Sequence, residues 1–453
     1  MPYRFLFKNK YFVWMLLGLV IQQASVGLSN YYLAQAATAL TAGQNARMAL
    51  AIFFALLLFP YVPGVLSLIE LKKWYLSLRK NLVSDAAAKL FAKASLWSDQ
   101  KARHERTALL VSESQIVLND ACHFCYETCS TVLNYSVNLV AMYYILHPSV
   151  AMAFLLGMGL AGLVSKIGQN EIARLAVQME HQKSQVSSSL YGFWDNVVLG
   201  NTPHRDLWNR SFDVSISGLN QSTMRHERSS KGMSLLLMSI SALPMLSVLA
   251  YRLFIAEASQ TEMMVAAAML PRMLQMINSS HVMFSLVTEF TSLESRLGAI
   301  FARLFAAEGG ELGTRITFDK IDVEGGEDIA GGQKNIGEFL RGLAQQKSGY
   351  LTLRGANGSG KSSLLLLMKE YFADRAVLLP SQSSLLLAGD YPAEFSSGEL
   401  QLARLQDLLK HRGNICLLDE WDANLDPINR RRCEEIVAQA SKDQLIIDIR
   451  HSK

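Results

Sequence analysis

Charge is scarce in this chain of 453 residues: Asp, Glu, Lys and Arg make up 18% of it, while hydrophobic residues make up 50%. A typical soluble domain carries about 25% charged residues. That shortfall, with a mean hydropathy of +0.17, excludes an ordinary soluble enzyme and implies a membrane part joined to a soluble part. The length itself implies two or more domains. Cysteine is scarce as well, with five residues in no paired pattern, which excludes a secreted disulfide framework. The net charge of +4 is too small to imply a polyanionic partner, so nucleic acid is not expected. No Gly-x-Gly-x-x-Gly follows a strand-like run, which argues against a dinucleotide enzyme.

What is abundant is apolar sequence in long runs. Six segments lie near 12–36, 48–71, 130–147, 149–168, 233–256 and 263–289. Each approaches the length of about 20 residues with which a helix crosses hydrocarbon. The first follows Arg4, Lys8 and Lys10 and lacks a small-residue cleavage site, so it reads as a membrane helix rather than a signal peptide. Pro148 punctuates the third and fourth runs and predicts a tight hairpin. Basic residues fill the stretches 72–106 and 166–231, whereas the short loop at 256–262 holds Glu257 and Glu262 and no Lys or Arg. The positive-inside rule then puts the N-terminus, both long basic stretches and the C-terminal part on the cytoplasmic side, with six crossings. Few prolines and glycines in 72–129 and 168–230 predict helices that continue into the cytoplasm. The aromatic cluster Tyr191, Phe193 and Trp194 falls at a loop tip, either packing within its own helix pair or covering the soluble domain.

The soluble domain is organised around Gly355-Ala356-Asn357-Gly358-Ser359-Gly360-Lys361-Ser362, a full Gly-x-x-x-x-Gly-Lys-Ser loop followed by Ser363. Its glycines let backbone N–H groups point at phosphate oxygens, Lys361 adds a positive charge, and the Ser362 hydroxyl suits Mg²⁺. The run 350–354 before it reads as a strand and the run after it as a helix, whose N-terminal dipole favours anions. A further strand is expected over 315–323, ahead of a glycine-rich stretch. Downstream, 376–382 reads as a strand ending in Gln382, which can reach Mg²⁺ or a water. Phe395-Ser396-Ser397-Gly398-Glu399 opens a helix and is either a γ-phosphate site or an ordinary cap. Ile415-Cys416-Leu417-Leu418-Asp419-Glu420 is a buried strand ending in two acids: Asp419 for Mg²⁺ through water, and Glu420 as general base. Asp426 lies just beyond. Leu445 to Ile449 is a strand running on to His451, which can contact a γ-phosphate.

Taken in this order, the six elements resemble the ATP-binding cassette (ABC) family, with its Walker A loop, Q-loop, signature, Walker B, D-loop and switch histidine. The six-helix part ahead looks like that of an ABC exporter half-transporter. The resemblance implies an all-α six-helix transmembrane domain, residues 1–308, followed by an α/β P-loop NTPase domain of ABC type, residues 309–453. It implies ATP and Mg²⁺ as cofactors. The nucleotide is held by Gly355, Asn357, Gly358, Ser359, Gly360, Lys361, Ser362 and Ser363, and from a second copy by Ser396, Gly398, Glu399 and Asp426. The metal falls to Ser362, Gln382 and Asp419, and catalysis to Glu420, His451 and Gln382. It further implies a dimer of half-transporters, a homodimer by default, in a bacterial inner membrane. The loop, the Phe-Ser-x-Gly signature and Asp419-Glu420-Trp421 look most like the cyclic-peptide and siderophore exporter branch. Two departures stand out. Only about a dozen residues separate Gln382 from the signature, so the helical subdomain usual in the family is reduced. No clear aromatic stands at the adenine position, Phe318 being the nearest. A non-transporting ATP-dependent switch, or a degenerate subunit of a heterodimer, is the rival reading.

Polar residues interrupt the apolar runs: Gln22, Gln23 and Asn30 in the first, Asn134 and Asn138 in the third, and Arg272, Gln275, Asn278, Ser279 and His281 in the sixth. They either line a polar path or hydrogen-bond between helices. Cys122, Cys125 and Cys129 share one helical face, which fits packing, a metal or a lipid modification.

Overall fold

The structure is a computed structural model. It describes residues 6–99, 103, 106–256, 258–306, 312–325, 335–380, 385, 397–410, 415–422 and 425–449, with the backbone alone at 184, 281, 284, 287, 288, 291, 292, 397 and 398. Contacts divide the chain into two compact units, Met1–Asn81 with Ser114–Phe301, and Leu82–Glu113 with Ala302–Lys453.

The first unit is helical. Its long elements are α1 (Lys10–Thr41), α2 (Arg47–Leu58) and α3 (Tyr61–Leu90), whose last turns pass into the second unit, then α5 (Ser114–Ala141), α6 (Pro148–Tyr191), α7 (Thr202–Phe254) and α8 (Gln260–Leu304). A four-residue helix, α4 (Ser95–Ser98), belongs to the second unit. The hairpin expected at Pro148 is present: His147 caps α6 by accepting from the Ser149 N–H, and Pro148 occupies the first turn, where its missing N–H costs nothing. The basic stretch 166–231 is α-helical apart from the tip at 192–201, α6 and α7 running far past their apolar segments, whereas in the other stretch α3 ends at Leu90 and, after a break at 91–94, only the short α4 follows among the described residues up to 99. At the tip between them Phe193 packs edge-on against Trp208 at 5.3 Å, and the Trp208 indole donates to the Ser189 carbonyl. Tyr191 and Trp194 remain exposed.

Among the described residues, four helical runs are long and apolar enough to cross a membrane: Lys10–Thr41, Arg47–Leu90, Pro148–Tyr191 and Thr202–Phe254. The third and sixth expected segments form helices α5 and α8 but fall outside that group. Asn134 and Asn138 interrupt one, and Arg272, Gln275, Asn278 and Ser279 interrupt the other. Tyr135, Phe154, Met245, Met273 and Met276 form a buried core drawn from α5, α6, α7 and α8. Gly157 lets α6 and α7 approach closely, since a Cβ there would lie 2.5 Å from the Ser241 carbonyl oxygen. Cys122 is buried and Cys125 and Cys129 are half-buried, all as free thiols. Among the described residues no group of three or more potential metal ligands gathers there or elsewhere.

The second unit holds a five-stranded sheet of order β1-β2-β5-β4-β3. The strands are β1 (Asp322–Glu324), β2 (Gly349–Arg354), β3 (Ala376–Pro380), β4 (Ile415–Asp419) and β5 (Leu445–Ile449). The last four run parallel, and β1 is antiparallel to β2. Parallel strands are covered on both faces and therefore read as continuous apolar runs, as Ile415–Leu418 and Leu445–Ile447 do. One face packs Phe339 and Leu343 of α9 (Ile336–Gln345) with Leu364, Leu365 and Met368 of α10 (Lys361–Phe372). The other packs Leu405 of α11 (Ser397–Leu409) and Cys433 and Val437 of α12 (Pro427–Ala440).

The strand expected over 315–323 is corrected. Leu312–Arg315 and Phe318–Lys320 form single 3-10 turns, and only Asp322–Glu324 joins the sheet. The reason is a competing partner: the Thr317 N–H donates to the Ser359 carbonyl, so this segment hydrogen-bonds to the phosphate loop instead of a neighbouring strand. Phe318, the aromatic nearest the adenine position, packs instead against the core, 5.3 Å from the Phe339 ring.

Leu365 is fully buried in this core. Leu365→Ala should cost about 2–5 kcal/mol and lower the thermal midpoint of the second unit in the full-length protein, read by intrinsic fluorescence.

Candidate phosphate-binding site

Phosphate-loop residues leave the C-terminal end of β2 and enter α10 at Lys361. Gly358 and Gly360 have φ of +84° and +91°, the region that suits glycine. At Gly360 the fit is tight: a Cβ would sit 2.4 Å from the Arg315 carbonyl oxygen. The 3-10 turns at 312–320 therefore brace the loop from outside. Asn357 is exposed, Ser359 and Lys361 are buried, and Ser363 is half-buried.

The Lys361 ammonium donates to the Gly355 carbonyl at 2.6 Å and the Ala356 carbonyl at 3.3 Å. These carbonyls fold the lysine back over its own loop without cancelling its charge. The Ser359 hydroxyl is buried and meets no hydrogen-bond partner among the described residues.

One strand, β5, separates β2 from β4, yet the loop and the acidic strand end meet. The Ser362 hydroxyl donates to Asp419 Oδ1 at 3.1 Å. A hydroxyl and a carboxylate oxygen at that spacing form the hard oxygen donor set that Mg²⁺ takes beside phosphate. Glu420 follows with φ of +49°, a left-handed turn that ends β4 and redirects the chain. Trp421 is buried behind it, and the Gln401 amide of α11 reaches its carbonyl at 3.5 Å. The helix carrying the signature residues is thereby tied to the acidic turn. That helix starts at Ser397, inside the signature, and Glu399 is exposed in its first turn.

Parallel strands put their C-terminal ends on one edge, where open α/β sheets bind ligands. β3 stops at Pro380, two residues before Gln382, and β5 stops at Ile449, two residues before His451. Gln382, Ser396 and His451 themselves lie outside the described residues. Asp426 has a structural task. It caps α12, its Oδ1 accepting from the Ile428 and Asn429 N–H groups at 2.9 Å and its Oδ2 from the Asn429 side chain at 2.6 Å.

One feature that sequence reading misses is the segment 82–113 of this unit. The Ser95 N–H of α4 donates to Glu370 Oε1 at 2.7 Å, on the phosphate-loop helix, and Arg315 Nη1 donates to Ser98 Oγ at 3.3 Å. No local pattern announces a contact across 275 residues.

No protein-family model matches the chain. A stretch of 63 residues is 33% identical to the phosphate import ATP-binding protein PstB of Pyrococcus furiosus and 32% identical to that of Thermococcus kodakarensis. It amounts to 14% of this chain, and the chain spans 25% of the length of these relatives. A bacterial Atm1-family ABC exporter with ATP bound is similar over 98% of this chain and 91% of its own, with a TM-score of 0.59 and 11% sequence identity. The chain has the fold of an ABC exporter, a helical unit with membrane-length helices and an α/β unit around a mixed sheet.

Two outcomes check this geometry. Gly360→Ala should abolish ATP binding, measured with a fluorescent ATP analogue, because the Cβ meets both a left-handed backbone and the Arg315 carbonyl. At Asp426, the Asn429 N–H, the Asn429 side chain and the Ile428 N–H hold the carboxyl below its ordinary value. A depressed folded-state value contributes stability that is present above the unfolded-state value and lost as pH falls through the folded one. Asp426→Ala should lower the thermal midpoint at pH 7, and the gap from wild type should close on acidification below the ordinary carboxylate range.

Proposed function

We propose that this chain is a half-transporter of an ATP-driven exporter, working as a symmetric dimer in a bacterial inner membrane with its nucleotide domain in the cytoplasm. The membrane domain is assigned to residues 1–308, with all six apolar segments crossing, and the nucleotide domain to residues 309–453. The observation that supports this reading most is the Ser362–Asp419 contact at the C-terminal edge of the parallel sheet, in a chain that also carries membrane-length helices.

The residues present fit Mg²⁺ and a nucleotide. The oxygens of Ser362 and Asp419 are paired, Lys361 lies against its loop with its charge uncancelled, and the loop glycines turn the backbone as an anion cradle needs. Bound Mg²⁺–ATP supplies the phosphoanhydride whose cleavage drives the cycle. The N–H groups of the loop with Gly355, Asn357, Gly358, Ser359 and Gly360 orient the phosphates, and Ser363 belongs to the same helix start. Gln382 is assigned to the metal and the water, and His451 to the γ-phosphate. Glu420 takes the proton of the attacking water on its carboxylate oxygen. Ser396, Gly398, Glu399 and Asp426 are assigned to the nucleotide held by the second copy. The exposed Tyr191 and Trp194 at the α6–α7 tip leave aromatic surface on which a second copy is proposed to pack. A peptide or siderophore-like substrate follows from the branch that the sequence motifs resemble.

The test is ATP hydrolysis by the full-length protein in lipid, wild type against Glu420→Gln. Loss of a general base should lower turnover about 10²-fold or more while ATP binding persists. A wild type that binds ATP without turnover would sink the exporter reading and favour an ATP-dependent switch or a degenerate subunit.

A further inference from the structure

Arg272 is the one charged residue placed well inside any of the six apolar segments. Its partners are neutral. Nε donates to Asn30 Oδ1 at 3.0 Å, on α1, and Nη1 donates to Gln275 Oε1 at 2.8 Å, one turn along α8. Among the described residues no carboxylate pairs with it, and its Nη2 makes no hydrogen bond. The side chain is half-buried, and Gln275 beside it is exposed.

Behind Arg272 runs a relay of amides. Asn30 Nδ2 donates to Asn138 Oδ1 at 3.1 Å, and Asn138 Nδ2 donates to the Asn134 carbonyl at 2.9 Å and to Asn134 Oδ1 at 3.1 Å. Asn134 Nδ2 then donates to Gln23 Oε1 at 3.0 Å, back on α1. Gln23, Asn30 and Asn138 are buried, the last two at 2% exposure each, Asn134 is half-buried, and the relay is tied at every step. Its direction is fixed by chemistry. A guanidinium can only donate, so Asn30 must turn its oxygen to Arg272 and its nitrogen onward, and each later amide follows suit. The amide dipoles therefore line up with their negative ends toward the cation.

Such a relay lowers the energy of a buried positive charge and leaves the charge in place; a carboxylate would have neutralised it. Interhelical adhesion alone needs no net charge, because another amide would bridge Asn30 and Gln275 as well. A guanidinium held by two bonds keeps three of its five N–H donors, one on Nη1 and two on Nη2, and two nitrogens of a planar fork suit the paired oxygens of a carboxylate or phosphate. We propose that Arg272 binds an anionic group, carboxylate or phosphate, of the molecule that this protein transports. The proposal rests on the exporter reading above and adds the chemical class of the substrate.

The test uses the full-length protein in phosphatidylcholine nanodiscs without nucleotide. Three probes are titrated by fluorescence: dansyl-trialanine with a free carboxylate, its C-terminal amide, and dansyl-aminoethyl phosphate. One bidentate charged contact should make both anions bind about tenfold tighter than the amide. Arg272→Gln should erase the preference, and Arg272→Lys should keep part of it. Asn30→Asp places a carboxylate against Arg272 with nearly unchanged shape, and should erase the preference while the arginine remains. Equal binding of acid and amide in the wild type, or no binding of any probe, overturns the proposal, as does a preference that survives Arg272→Gln. Where the preference is present, discs containing phosphatidylglycerol identify its source: competition assigns the site to a lipid headgroup, unchanged affinity to a water-borne anion. ATP hydrolysis on the same samples separates the two readings. Anion preference without hydrolysis removes the exporter and keeps the site; hydrolysis without anion preference does the reverse.

Discussion

The Ser362–Asp419 hydrogen bond joins residues 57 positions apart and depends on almost everything around it. Asp419 reaches that point only because β4 lies one strand away from β2 and runs parallel to it. The parallel register holds only because both faces of the sheet are covered, by α9 and α10 on one side and by α11 and α12 on the other. Ser362 in turn reaches it only because Gly358 and Gly360 take left-handed backbone that lets the loop close onto the first turn of α10. The 3-10 turns at 312–320 complete the arrangement by donating the Thr317 N–H to the Ser359 carbonyl. A short polar contact is thus the end point of a packed core, and anything that shifts the sheet shifts the pairing of hydroxyl and carboxylate.

The membrane unit obeys a different constraint. Hydrocarbon offers no hydrogen-bond partners, so each polar group must find one within the protein. Gln23, Asn30, Asn134 and Asn138 meet that requirement by bonding to one another between α1 and α5. Tyr135 does so by donating to the Met276 carbonyl of α8. A charged side chain at the centre of a membrane helix is costly, about 2.5–3.5 kcal/mol on insertion scales. On the proposed reading in which α8 crosses, the same relay offsets part of that cost for Arg272. Asn134 and Asn138, which make α5 less apolar than its neighbours, also fasten it to α1, and in α8 Arg272 does the same.

How much of this is legible in the sequence follows from range. The phosphate loop, the strand before it and the helix after it are written in contiguous residues, and Gly355 to Ser362 announces all three. Ile415 to Glu420 is equally local, an apolar run ending in two acids. The hairpin at Pro148 needs only its own neighbours. Residues 315–323 mislead because Ile316, Phe318, Ile321 and Val323 are residue types that favour strands, whereas the partner that decides their conformation is Ser359. The Ser95–Glu370 contact leaves no local trace at all. In the membrane helices the sequence shows which residues are polar, but their pairing is set by packing. Asn30 meets Asn138 across 108 residues and Arg272 across 242.

The two cationic centres share one physical device. Lys361 is held by the carbonyl oxygens of Gly355 and Ala356, and Arg272 by the amide oxygens of Asn30 and Gln275. Each cation faces the negative ends of neutral dipoles, and neither pairs with a carboxylate among the described residues. Dipoles stabilise a charge where it stands, whereas a counter-ion cancels its field at a distance. A cation held by dipoles also needs no ion pair broken before an anion arrives, so the approach carries no desolvated carboxylate as a penalty. In the nucleotide unit the anion that such a centre suits is a phosphate cradled by the backbone. In the membrane unit the same electrostatic logic, built from side-chain amides because helical backbone is already hydrogen-bonded, leaves Arg272 suited to an anion there.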